Sequence, residues 1–368
     1  MYKIIYPDKD ATLYERSPEL NSGVDQILEL SNIKEGQPVI DIYENEYYWD
    51  SNYSSRIIIK FSLPDEISDR NFSANLILRA TEIEEVPAEY SVYAYPLSTD
   101  WTNGTGFHNN NPQITNGVSW IYKTSKLANQ AWDTSSFSTN VTGSWNAVPG
   151  GGTWYYNISS SQTFNLEPAD INMNVTNIVK LWASGSISNN GFIIKLSDNS
   201  EQNTDIYGQL KYFSRETHTI YVPRLIFNWD TVNYNNYNLI DEFDITASDC
   251  IVYFKNLKDA YIVGEKTIIN LGVREKYPTP KYSTSSLYMQ KYRLPIDSFY
   301  QIQDVVTDEI IVPFSELGTR VHCNQNGNYI VLDTNSIMPE RFYKFVIKSV
   351  GAEYIKIFDN NYIFKICR

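Results

Sequence analysis

The sequence predicts an all-β protein made of two sandwich domains. Aromatic residues make up 14% of the chain, and 29 of its 368 residues are tyrosine, which suits half-buried strands because the ring packs inward while the hydroxyl stays in water. Short apolar runs bounded by turn-forming residues recur along the chain. The length is the third observation, because 368 residues are more than one β-sandwich uses, so two domains are expected.

The first strand signals lie in two neighbouring segments. In DATLYERSPELNSGVDQILEL (10–30) an Asn-Ser-Gly run at 21–23 separates apolar residues and predicts a strand, a turn and a second strand. In SRIIIKFSLP (55–64) the residues after Arg56 are mostly apolar, and the run ends at a proline that cannot donate to a sheet. We expect Arg56 at the start of this core-adjacent strand, with its guanidinium on a carboxylate or on carbonyl groups.

A long segment rich in tryptophan and glycine follows, from residue 98 to residue 152. Aromatic residues spaced through turn formers favour an ordered, irregular loop that is held by its own side chains. Loops on a rigid sandwich commonly carry function, so we expect a binding or interface surface here. The candidate interface residues are Trp101, Trp120, Trp132, Trp145 and Trp154.

The first domain contains one predicted helix. NVTNIVKLWASG (174–185) has apolar residues at i, i+3, i+4 and i+7, the last being Trp182, and it ends at Gly185. Two further strands are predicted in NNGFIIKLSD (189–198) and PRLIFNWD (223–230).

Taken in order, these segments resemble the DNRLRE family, all-β jelly-roll domains of bacterial surface proteins and phage particles. The resemblance rests on the turn and strand where this chain has NSGVDQILEL, on the buried strand that follows, on a helix with a tryptophan before a glycine-led strand, and on a closing strand preceded by proline and arginine, here Arg224. It implies a jelly roll over residues 1–232, with the helix plugging one end of the core and structural roles for Arg56, Trp182 and Arg224.

The remaining chain predicts a second sandwich. Residues 233–239 are polar and rich in asparagine, which indicates a linker. Residues 240–368 contain seven strand signals separated by turns, a spacing typical of an immunoglobulin-like sandwich: CIVYF, TIINLGVR, EIIVPF, NYIVLD, YKFVIKS, YIKIF and YIFKI. The stretch that begins with GVREKYPTPKYSTSSLYM (272–289) resembles a carboxy-terminal domain of tailed-phage virion proteins.

The composition of the chain disfavours some classes of binding partner. The net charge of −13 without a basic cluster disfavours direct nucleic-acid binding, which depends on Lys and Arg. The sequence has neither a signal-peptide pattern nor an apolar run long enough to span a membrane, so we expect the chain to be made in a host cytoplasm. Its three cysteines, Cys250, Cys323 and Cys367, lack CxxC spacing and are expected to be free thiols.

Candidate chemistry is sparse. Three isolated histidines, His108, His218 and His322, assemble no recognisable catalytic or metal motif, and PGGGTW (149–154) lacks the following helix that a phosphate-binding loop needs. One acidic segment, SDNSEQNTD, predicts a polar hairpin loop, and its oxygen ligands, which suit Ca²⁺, make a calcium site the alternative. Its candidate ligands are Asp198, Asn199, Glu201, Asn203 and Asp205. No other cofactor is expected.

These observations favour a non-enzymatic structural protein of a tailed-phage virion, in the tail, collar or head-fibre apparatus. We expect it to dock onto other virion proteins and to form a homo-oligomer on the particle, where repeated weak contacts gain avidity. The alternatives are a carbohydrate-binding adhesin module that recognises a host-surface glycan through its aromatic loops, and a polysaccharide depolymerase that uses two of the many carboxylates.

Overall fold

The computed structural model describes most of the chain, and its contacts divide it into two compact units. The first unit is Ile5–Ile226, and the second comprises Met1–Ile4 and Phe227–Arg368. The predicted linker at 233–239 lies outside the described residues. For 34–40 and 46–52 the backbone alone is described. The described ranges are 1–40, 46–67, 71–133, 150–165, 168–202, 208–230, 241–243, 249–277, 292–351 and 355–368.

Strands dominate residues 1–230. The elements in this part are β1 (Tyr2–Ile5), β2 (Lys9–Tyr14), β3 (Ile27–Ile40), β4 (Glu46–Lys60), β5 (Phe72–Leu78), β6 (Ala80–Glu84), β7 (Glu89–Pro96), β8 (Ser160–Asn165), β9 (Ile171–Asn174), α1 (Thr176–Ala183), β10 (Phe192–Leu196), α2 (Asp198–Gln202), β11 (Gly208–Phe213) and β12 (Arg224–Trp229). Within the described residues, 97–133 and 150–159 form irregular loop with isolated bridges such as Leu97 to Trp154.

Two sheets are built from these strands. An eight-stranded sheet has the order β6-β11-β3-β4-β10-β7-β8, with β2 also paired to β4, and a four-stranded sheet has the order β1-β12-β5-β9. The two strands predicted on either side of the Asn-Ser-Gly turn are present as β2 and β3, but they do not pair with each other because β4 pairs between them. Beyond Asn32, where β11 ends its pairing, β3 and β4 continue as a two-stranded ribbon.

The pattern of apolar residues explains the main elements of the first unit. In β4, Ile57, Ile58 and Ile59 are all fully buried, as the apolar run predicts. Arg56 lies well inside this strand rather than at its start, because the strand begins at Glu46. In α1 the predicted apolar face is buried, and Gly185 follows with a φ of +72°, which lets the chain turn away from the helix.

Residues 241–368 of the second unit contain eleven described strands. They are β13 (Asp241–Glu242), β14 (Cys250–Phe254), β15 (Ala260–Ile262), β16 (Lys266–Glu275), β17 (Tyr292–Arg293), β18 (Ser298–Asp304), β19 (Ile310–Val312), β20 (His322–Asn324), β21 (Gly327–Asp333), β22 (Arg341–Val350) and β23 (Ile355–Cys367). One sheet has the order β13-β17-β16-β21-β20, with β14 paired to β16, and the other has the order β15-β23-β22-β18-β19. The prediction that YIKIF and YIFKI are separate strands is wrong, because both belong to β23.

The all-β prediction is confirmed. Helices account for 6% of the structure, and one of the antiparallel sheets is curled like half a barrel. Across the described residues, no helix is long and apolar enough to cross a membrane. Cys250 and Cys323 are buried and Cys367 is half-buried, and all three are free thiols.

Candidate functional site

Four of the five predicted interface tryptophans form a buried group, here called the tryptophan cluster. The exposed fractions of Trp101, Trp120, Trp132 and Trp154 lie between 0 and 3%, and they pack with apolar residues of β2, β4 and β10. Trp145 lies outside the described residues. Because these four rings face the interior of the first unit, any partner that contacts this loop touches other residues of it.

Polar contacts hold the loop that carries the cluster. The side chain of Asn21, which is fully buried, donates to the backbone oxygens of Asn103 at 2.7 Å and Val118 at 2.8 Å. Its own oxygen accepts the backbone N–H of Gly106 at 2.8 Å. A single amide therefore satisfies three backbone groups and connects the turn at 21–23 to the loop.

Three consecutive glycines bring the backbone close to the tryptophan cluster. Gly150, Gly151 and Gly152 all have positive φ angles, of 141°, 75° and 99°. A Cβ atom on Gly151 would lie 2.5 Å from Nη1 of Arg56 and 2.8 Å from the Trp120 ring. The N–H of Gly151 donates to the Trp120 carbonyl at 2.6 Å. These glycines therefore permit a close backbone approach to the core.

Arg56 is the centre of a buried ionic network. Its Nε and Nη2 atoms donate to the two carboxylate oxygens of Glu201 at 3.0 and 2.7 Å, and Nη1 donates to the carbonyl of Gly151 at 2.8 Å. The guanidinium carbon lies 4.8 Å from the centre of the Trp120 ring and 5.2 Å from that of Trp154. The sequence predicts a carboxylate or carbonyl partner for Arg56, and here both are present.

A second cation shares the same carboxylate. The ammonium group of Lys195 lies 2.9 Å from a carboxylate oxygen of Glu201 and also pairs with Asp198. The side chains of Arg56, Lys195 and Glu201 are each no more than 3% exposed, whereas that of Asp198 is 69% exposed. Two buried cations therefore share one buried anion. This arrangement fixes the geometry of the three side chains and pairs them with each other.

The predicted calcium ligands lie in this same region. Glu201 and Asp198 are paired with cations, and with Asn199 they belong to α2 rather than to a hairpin loop. Asn203 and Asp205 lie outside the described residues. Among the residues that the structure describes, no group of three or more histidine, cysteine, aspartate or glutamate side chains is placed to hold a metal ion.

The remaining predicted structural residues occupy core positions. Trp182 in α1 packs on Phe192, with ring centres 4.5 Å apart, and is 6% exposed. Arg224 opens β12, is 7% exposed, and donates to the carbonyl of Ile220 at 2.7 Å.

The three histidines have different surroundings. His108 lies in the loop, is exposed, and its ring lies 4.5 Å from that of Tyr14. His218 is exposed in a turn. His322, in the second unit, stacks on Tyr329 at 4.9 Å, and burial lowers the pKa of its imidazole below the ordinary value.

Two acids of the first unit have raised pKa values. Asp10 is 2% exposed, and burial raises its pKa to about 7 although its carboxylate accepts the backbone N–H of Arg215 at 2.6 Å. Burial also raises the pKa of Asp25 to about 6. The Asp25 carboxylate accepts the backbone N–H of His108 at 2.9 and 3.1 Å, which fixes this part of the loop.

A polar cavity that the sequence does not predict lies on the eight-stranded sheet. Its volume is about 310 Å³. Tyr14, Ser55, Ser31 and Gln209 line it and are register neighbours across β2, β4, β3 and β11. Since direct cross-strand neighbours share a face, their side chains form one polar row. Glu29 lies two residues before Ser31, on the same face. No signal in a single sequence brings four separate strands into register.

The described part of the first unit contains both the buried ionic network and the open cavity. Neither a protein-family model nor a curated protein matches the sequence. Function therefore has to be inferred from the residues of this chain and from the resemblances that its segments carry.

Proposed function

We propose that the protein is a non-enzymatic structural component of a tailed-phage virion, in the tail, collar or head-fibre apparatus. It docks onto other virion proteins and forms a homo-oligomer on the particle. In this proposal the first unit is a jelly roll and the second is an immunoglobulin-like sandwich. The support is the resemblance in the sequence, the all-β architecture and the division into two compact units.

The observation that carries the docking role is the exposed apolar surface of the second unit. Twelve of the sixteen large apolar side chains that are exposed in the described part of the chain belong to it. Three of them, Ile355, Ile357 and Ile363, lie on β23 and are 62%, 63% and 41% exposed. Their register partners on β22 are separated from one another by even numbers of residues, so the three isoleucines lie on one face of the sheet.

Part of β23 has one backbone partner among the described strands, and the side chains of Lys356, Asn360 and Tyr362 reach Asp249 and Val252. From 355 to 362 β23 pairs with β22 alone among the described strands, because β15 reaches only Lys365–Cys367. This edge and the exposed isoleucines together offer both backbone hydrogen-bond groups and apolar area to another chain. We expect a neighbouring virion protein or another copy of this chain to cover this surface. Repetition around a symmetric ring makes weak single contacts sufficient.

Two experiments test the docking role. Mass spectrometry of purified particles from the phage that encodes the chain should detect it at stoichiometric copy number. The double variant Ile355→Lys with Ile357→Lys should fold, because both residues are exposed, and should be lost from particles. Leu127→Lys is the matched control, since Leu127 is 98% exposed in the first unit. Absence of the wild-type chain from particles, or full incorporation of the double variant, would contradict the proposal.

A glycan-binding role is the second candidate. The observation that favours it is the polar cavity, whose lining combines carboxylate, hydroxyl and amide groups with aromatic rings. A virion protein that carries such a site contributes to host-surface recognition as well as to assembly.

A further inference from the structure

The polar cavity forms where β2 ends and its neighbours continue. β2 stops at Tyr14, whereas β3 and β4 run on as the ribbon, so the sheet surface beyond Tyr14 is left open. Arg16 and His108 line the cavity and are exposed, which places its mouth at the protein surface. The volume of about 310 Å³ is at the lower end of the range for small-molecule sites, so it fits one compact ligand.

We propose that this cavity binds a single saccharide unit. Its floor is the polar row, in which the hydroxyls of Ser31 and Ser55 lie 2.9 Å apart and Ser31 lies 3.2 Å from a carboxylate oxygen of Glu29. A carboxylate has about four acceptor positions, so Glu29 retains capacity for ligand hydroxyls. Gln209, half-buried at the end of the row, supplies both an amide donor and an acceptor. A ligand dense in hydroxyl groups matches this mixture.

Charge at the cavity disfavours anions. Glu15 and Glu29 line it against one arginine, Arg16, and Asp25 lies behind the His108 loop. Glu15 is 1% exposed and accepts the backbone N–H of Ser54 at 3.0 Å. A phosphate or carboxylate ligand would be repelled by both carboxylates, whereas a sugar hydroxyl can donate to the half-buried carboxylate of Glu29 in a charge-assisted hydrogen bond.

Aromatic rings supply the apolar wall that a sugar ring needs. Tyr14 and His108 pack together at an interplanar angle of 52°, and the half-buried Tyr53 lies on the same lining. Burial, together with the carboxylates of Glu29 and Asp25, holds the pKa of the Tyr14 phenol well above its ordinary value. An apolar wall beside a polar floor is typical of small-molecule sites.

Ligand-observed NMR on the full chain tests the proposal with a defined panel: glucose, galactose, N-acetylglucosamine, glucosamine and, as a cation without a sugar ring, methylammonium. At least one sugar should bind. Glu29→Gln should raise its Kd about tenfold, the effect of one charge-assisted hydrogen bond, and Gln209→Ala should raise it as well. Glu89→Gln is the matched control, because Glu89 is exposed on β7 of the same sheet. Thermal melting checks that each variant folds. If Glu29→Gln does not fold, the Kd of Gln209→Ala tests the proposal.

Three results would overturn the proposal: no sugar of the panel binds, the sugar binds with unchanged Kd in both cavity variants, or methylammonium binds as tightly as glucosamine. Equal affinity for a monosaccharide and for a disaccharide that ends in it would support a receptor for the terminal unit of a glycan. Preference for the monosaccharide would support a site for a free sugar.

Discussion

Replacing Arg56 with alanine should destabilise the first unit strongly, and the order of effects within its network is the informative result. Loss of Arg56 leaves Glu201 still paired with Lys195. Loss of Glu201 instead leaves two buried cations, and the ion pair that remains among the described residues is the one between Lys195 and the exposed carboxylate of Asp198. Since an uncompensated buried charge is more costly than a lost contact, Glu201→Ala should destabilise more than Arg56→Ala.

Breaking a buried ion pair costs about 3–5 kcal/mol. We place Arg56→Ala near the lower limit, about 3 kcal/mol, and Glu201→Ala near the upper limit, about 5 kcal/mol. For a unit of this size, about 3 kcal/mol corresponds to a fall in Tm of about 6–12 °C. The matched control is Lys211→Ala, which removes the exposed ion pair with Glu82 at 2.6 Å and should lower the free energy of unfolding far less, because water screens an exposed pair.

Urea unfolding followed by tryptophan fluorescence measures these differences. Seven of the eight tryptophans lie within 5–226, so the signal reports mainly on the first unit. If Arg56→Ala costs no more than Lys211→Ala, or if Glu201→Ala proves the milder of the two network variants, the structural role assigned to this network is wrong.

Three further predictions concern neighbouring positions. Gly151→Ala should lower Tm in a thermal melt, because its φ of +75° disfavours a side chain and the new Cβ meets Arg56; an unchanged Tm would contradict this close approach. Asn21→Ala should expose the 102–118 loop to limited proteolysis while Asn109→Ala, an exposed change in the same loop, leaves it resistant; equal cleavage rates would argue against the amide tie. The pKa of Asp10 is about 7 in the folded state and about 4 in the unfolded state. Between about pH 4 and pH 7 the folded state therefore keeps a proton that the unfolded state loses, and the free energy of unfolding falls as pH rises. Urea midpoints at pH 5 and pH 8 should therefore differ less in Asp10→Asn than in the wild type, and an equal difference would refute the assignment.

The local sequence pattern is sufficient to predict some elements of the fold. The apolar spacing of 175–182 predicts α1, and the isoleucine run predicts the buried part of β4, because both signals depend on residues close in the chain. The local pattern predicts two strands where the structure has the single strand β23. Asp359, Asn360 and Asn361 read as a turn, yet the strand accommodates them as an irregularity in register, with Asn361 at a φ of +52°.

Contacts between distant residues could not be predicted. The sequence indicates that Arg56 needs an acceptor but does not show which one, and its pattern places Glu201 among candidate calcium ligands instead. The sequence also predicts the tryptophans at an interface, because ring size alone does not distinguish a core side chain from a contact surface. The polar cavity depends on the register of four strands, which only the folded structure reveals.

The bond between Arg56 and Glu201 joins residues 145 positions apart, which affects how the chain acquires its fold during synthesis. At about 5–20 residues per second, a ribosome completes Glu201 roughly 7–30 s after Arg56. Until then the guanidinium has no carboxylate of α2 to hold, and the early strands stay incompletely packed. Long-range pairings of this kind slow folding and prolong the exposure of aggregation-prone surface. Added chaperones, which shield such surface until Glu201 has been made, should therefore raise the yield of recombinant protein.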